Sequence, residues 1–258
     1  MRPNYAKAVQ ESVNLLMDLD IKSVPINLDE IFDDLKLTIR KQSYSDFAES
    51  KGITVKFLCN YFESDLGACV YDPKTERYII YYNDTKFNQG LNRFTIAHEL
   101  GHVFLEHYSQ VDSNVLLRRK MSGAKYKRLE READCFARNL LAPAPLVKKM
   151  VELNTPTTQL ELQSAFNISL QAAGARLGFL TADYNLMQSQ HYPYFDKYKI
   201  NFGYFCDFCN SGEIEDDHNF CKICGCEANP LYKKHNRIFY CGIKLDSHKR
   251  SSICPICK

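Results

Sequence analysis

The sequence has no apolar run approaching the roughly 20 residues that a membrane-spanning helix requires. Its start, MRPNYAKAVQESVNLL, lacks the apolar core of a secretion signal, because acidic and amide groups interrupt it; a cytoplasmic location is therefore expected. Charge of one sign is also scarce: 33 Lys and Arg offset 31 Asp and Glu, leaving +2 over 258 residues. That balance excludes a broadly basic nucleic-acid or membrane binder. There is no internal repeat and no low-complexity tract. Cysteine is sparse over most of the chain, with only Cys59, Cys69 and Cys135 in the first two hundred residues. The remaining eight of the eleven crowd between Cys206 and Cys257, mostly as C-x-x-C pairs, which in a reducing compartment favours metal over disulfides.

What is present is 45% apolar residues, enough for one good-sized core and a smaller unit. Apolar positions at helical spacing predict helices over 5–19 and 27–35, with Asn27 or Asp29 as a cap for the second. Segments 35–42, 53–58, 66–72 and 77–83 read as strands, and the turn chemistry of DPKTE joins the last two as a hairpin. Helix is expected to dominate from about 88 to 180. From 181 the chain turns polar and tyrosine-rich, which reads as a linker. The expected layout is a domain over 1–185, a linker over 186–204 and a small cysteine-rich domain over 205–258.

The stretch RFTIAHELGHVFLEH places His98 and His102 four residues apart, with Glu99 directly after the first. On a helix these imidazoles point to one side and can share a tetrahedral zinc. Glu99 falls beside such a metal rather than on it, where it can take a proton from water. Gly101 lets another element approach the helix closely. H-E-x-x-H alone arises by chance in about one chain in a hundred of this size. A catalytic zinc needs a third protein ligand. Downstream, RLEREADCFARNLLAP forms a second amphipathic helix stopped by Pro143, with Glu130, Glu132 and Asp134 at its start. Glu130 lies toward the apolar face and is the expected ligand, with Glu132 as its competitor, although Glu132 points away from that face. Asp134, one turn after Glu130, is placed to accept the other N–H of a ligand histidine. Acids solvating a helix N-terminus account well for Glu132 alone. His107, Tyr108 and Tyr126 fit structural roles, and none of them is identified as an oxyanion donor. The segment 113–131 holds seven Lys or Arg against one Glu; it reads as a solvated connection, or as a basic gate carrying Arg118, Arg119 and Lys120.

Together, AHELGH at 97–102, EREADCFARNLLAP at 130–143 and FNISLQAAGARLGFL at 166–180 resemble the ImmA/IrrE metallopeptidases, a gluzincin-like family of phages and mobile elements. The resemblance implies an α+β fold, with a mostly helical zincin-like domain carrying a small antiparallel sheet. It implies one catalytic zinc on His98, His102 and Glu130, with Glu99 as the base. It also implies an endopeptidase that cleaves a helix-turn-helix repressor held on a separate chain and thereby derepresses transcription. The alternative is a non-proteolytic regulator that uses the same fold to bind a partner protein or DNA.

The C-terminal pairs look like a zinc ribbon with two structural zinc sites. Cys206, Cys209, Cys221 and Cys224 would form one, and Cys226, Cys241, Cys254 and Cys257 the other. Swapped pairing between them stays open, as do His235 and His248 as substitutes for Cys226. The basic patches KKHNR and HKR, beside Tyr232, Phe239 and Tyr240, suggest a weak nucleic-acid or partner contact.

Overall fold

The computed structural model describes residues 2–86, 88–110, 114–115, 122–153, 157–196 and 198, together with the backbone of 226–229 and 239–244. The chain opens with α1 (Tyr5–Asp18) and α2 (Leu28–Leu35), then β1 (Ile39–Ser43), α3 (Tyr44–Lys51) and α4 (Val55–Phe62). The hairpin β2 (Gly67–Asp72) and β3 (Arg77–Tyr82) follows. Next come α5 (Gln89–Phe104), α6 (Gly123–Leu141), α7 (Ala144–Leu153), α8 (Gln159–Phe166), α9 (Leu170–Asn185) and α10 (Tyr192–Asp196). Farther on, β4 (Cys226–Asn229) pairs antiparallel with β5 (Phe239–Lys244). The fold is α+β, and among the described residues no helix is long and apolar enough to cross a membrane.

The first sheet runs in the order β1-β3-β2. The hairpin forms as its turn residues predict, with Cys69 opposite Ile80. The sheet is mixed rather than antiparallel, because β1 pairs parallel with β3, setting Ile39 against Tyr78. The intervening helices and β2 carry the chain back to the start of β3, which makes β3 the central strand. Alternation splits its two faces. Cys69 and Ile80 enter the main core with Leu16, Leu100, Phe136 and Phe166, while Ala68 and Tyr81 face a smaller cluster with Tyr44, Leu58 and Phe62.

That smaller cluster corrects the expected strand at 53–58, which is the start of α4. The Thr54 hydroxyl accepts from the Phe57 amide (3.1 Å) as an N-cap, and Leu58 and Phe62, four residues apart, are both buried. A six-residue apolar window does not separate strand from helix, and the period shows only when read on to Phe62. The preceding α3 was not expected either. It is capped by Ser43 and ends at Gly52, which takes a left-handed φ of 63°.

The expected linker is corrected over its described part. α9 runs on to Asn185, and α10 packs its aromatic residues onto the N-terminal region. Tyr194, Phe195 and Tyr198 are buried, and the Tyr194 hydroxyl lies 2.5 Å from the carbonyl oxygens of both Leu16 and Ile21. Tyr194 and Tyr198, which help make this stretch look polar, are core residues with satisfied hydroxyls.

Candidate metal centre

The centre is built where α5 crosses α6. Asn88 caps α5, its side chain accepting from the Leu91 amide (3.0 Å). Ile96, Ala97 and Leu100 anchor the inner face of the helix. Gly101 sets the approach of the two helices, since a Cβ there would stand 3.1 Å from Phe136 Cβ and 3.2 Å from Ala133 Cα. On α6 the buried residues Ala133, Phe136 and Leu140 complete the contact and hold Glu130 over the two histidines.

His98 Nε2 and His102 Nε2 lie 3.0 Å apart. Glu130 reaches both, with Oε2 3.4 Å from the first and Oε1 3.3 Å from the second. Ligand atoms of these three residues all fall within 4.8 Å of one another. The two imidazoles hold the Glu130 carboxyl well below its usual range although burial opposes this. Two imidazole nitrogens and one carboxylate converging from two helices suit a divalent cation such as zinc. The far sides of both rings are occupied, so each ring keeps its Nε2 for the cation. His98 Nδ1 lies 2.9 Å from Asp134 Oδ1, and His102 Nδ1 lies 2.8 Å from His107 Nδ1.

Glu99 and the three converging residues line a cleft of about 520 Å³ that opens between α5, α6 and β2. The backbone N–H of Cys69 on β2 weakly favours the charged form of the Glu99 carboxylate. Burial pushes its pKa above the usual carboxylate range, against the pull of His102 and His98. Tyr126 also lines the cleft. Tyr108 lines it too, but its hydroxyl donates to the Cys69 carbonyl (3.0 Å).

The structure thus brings together His98, Glu99, His102, Glu130 and Asp134. Between the two rival glutamates it favours Glu130. Glu132 is not exposed, as its projection on the helix suggested, but 5% accessible, and it holds His107 Nε2 at 3.0 Å. The reason is α1, which packs on the second side of α6, so that the side away from the apolar stripe is also interior. Sequence reasoning passed over the role of His107, which sits fully buried five residues after His102. The eight C-terminal cysteines fall outside the described residues except for the backbone of Cys226 and Cys241; Arg118, Arg119 and Lys120 also fall outside them. Compared with known proteins, residues 48–178, half of the chain, match a peptidase family described as the IrrE N-terminal-like domain. No curated protein matches the chain.

Proposed function

Because the chain belongs to the family of IrrE N-terminal-like domains, a family of zinc-metallopeptidase type, we propose that it is a zinc-dependent endopeptidase. The observation that carries this reading is the convergence of His98, His102 and Glu130, with Glu99 lining the same cleft. His98, His102 and Glu130 would hold the metal. When bound, zinc supplies Lewis-acid polarisation of a peptide carbonyl. Glu99 then takes the proton of the attacking water and delivers it to the departing amine nitrogen. Asp134 keeps the His98 ring turned toward the metal by accepting its Nδ1–H.

The substrate in this reading is a helix-turn-helix repressor supplied as a separate chain, whose cleavage releases its promoters; the resemblance of the three motif segments supports it. The cysteine-rich end would carry two further zinc ions, each on four thiolates, and would recruit the substrate or receive the signal. The spacing of CDFC, CKIC and CPIC supports that part. Glu99→Gln is the test. The amide is nearly isosteric with the carboxylate, so folding and zinc content should persist while repressor cleavage falls by about 10²–10⁴-fold. Unchanged repressor loss and promoter release in cells carrying this variant would favour a contact-only regulator instead.

A further inference from the structure

Beyond the three converging ligands, a second chain of contacts runs inward from the centre. His102 Nδ1 meets His107 Nδ1 at 2.8 Å, and His107 Nε2 meets Glu132 Oε2 at 3.0 Å. The other oxygen of Glu132, Oε1, accepts from the backbone N–H of Asn4 at 2.7 Å. All three side chains are buried, with His107 at 0% and Glu132 at 5% exposure. Asn4 is the N-cap of α1 and lies outside residues 48–178. We infer that His107 and Glu132 are positioning residues of the metal centre, coupling the orientation of His102 to the seating of the N-terminal helix. This rests on the reading of His98, His102 and Glu130 as a metal site.

The argument is one of donors and acceptors. With Nε2 of His102 turned to a cation, its ring proton sits on Nδ1 and must be accepted. His107 Nδ1 accepts it, which puts the proton of that ring on Nε2. Glu132 Oε2 accepts there, while Oε1 accepts from Asn4. Every group in the chain is satisfied in one direction only. Position 132 must accept at both ends, which a carboxylate does and an amide does not. A glutamine would present its NH2 either to the Asn4 amide or to the His107 N–H, a donor facing a donor in both cases. A buried histidine–glutamate pair also costs desolvation that well-packed apolar side chains would avoid, so simple core filling does not account for it. The two ligand histidines are thus oriented differently. Asp134 holds His98 directly from a half-exposed position, and a buried imidazole and carboxylate hold His102.

The test is zinc affinity, measured on the full chain by competition with a chromophoric chelator. The visible spectrum of the cobalt-substituted protein and the thermal midpoint of the metal-free chain are recorded alongside. Glu132→Gln and His107→Leu should each weaken metal binding about 10–100-fold and shift the cobalt spectrum. His107→Gln, which can accept at one end and donate at the other, should recover part of the affinity. Two purely structural residues would lower the midpoint and leave affinity and spectrum in place. Should His107→Leu not fold, Glu132→Gln and His107→Gln decide. A wild-type chain that binds no zinc at this site ends both readings. One that binds zinc and loses it on Glu130→Ala, yet keeps affinity within about twofold in Glu132→Gln, overturns this inference alone.

Discussion

Asp183 on α9 is 1% exposed and gathers cationic and polar groups from two helices. Arg138 of α6 donates through Nε at 2.7 Å and through Nη2 at 3.0 Å. The side-chain amide of Asn139 donates at 2.9 Å, and Arg176 Nη2 lies 3.0 Å from the same carboxylate. Arg176 is completely buried. Replacing Asp183 with alanine removes the only carboxylate that pairs with these two guanidiniums among the described residues and leaves their charges in the interior. Breaking a buried pair by deleting one partner costs about 3–5 kcal/mol. For a domain of this size each kcal/mol moves the midpoint by about 2–4 °C, so Asp183→Ala should melt about 6–20 °C below wild type. The assay is thermal and urea unfolding followed by circular dichroism at pH 7 in excess zinc. A loss below about 1 kcal/mol would show that the two arginines are solvated without their partner and would refute the account. Asp183→Asn isolates the charge. The Asp183 carboxyl is buried, which opposes ionisation, but Arg138 and Arg176 hold it below the usual carboxylate range. A depressed carboxyl stabilises fully above its unfolded value of about 3.9 and loses that contribution as pH falls through the native value. The gap between wild type and Asp183→Asn should therefore narrow on going from about pH 5 toward pH 3, and a constant gap would count against the ionic role.

Three further outcomes are expected. Gly90→Ala places a Cβ 2.4 Å from the Ser169 amide nitrogen, so α5 and the cap of α9 must part, lowering stability by about 1–3 kcal/mol in a denaturant titration despite the helix preference of alanine. Stripping metal with a chelator should lower stability by about 2.7 kcal/mol if free zinc had stood at a hundred times its dissociation constant, and Glu130→Ala should show no such response in differential scanning calorimetry of the N-terminal transition. If the C-terminal cysteines hold zinc as proposed, Cys221→Ser should lower the zinc content by one ion by atomic absorption and leave the N-terminal melting transition in place; loss of zinc from both ends together would oppose separate sites.

The hairpin, the cap of α2 and the close approach at Gly101 were all legible, because each depends on a residue and its neighbours within one or two turns. The helix at 55–62 was not, because the strand reading stopped before the second buried residue of its period. Tyr194 and Tyr198 read as linker because their hydroxyls are polar in isolation, and only the carbonyls of Leu16 and Ile21, about 175 residues away in sequence, make them interior.

At the site, local order of residues was enough to place His98 and His102 on one helical face, to set Glu99 beside them and to rank Glu130 first among three acids. The 3.6-residue period fixes those relations before any partner helix arrives. Tertiary structure alone decided the part of Glu132. Its burial depends on α1 covering the second side of α6, and its partners are His107, 25 residues upstream, and Asn4, 128 residues upstream. No periodicity within α6 records a helix that packs on it from the other end of the chain, whereas the free energy of a buried carboxylate depends on what that helix brings.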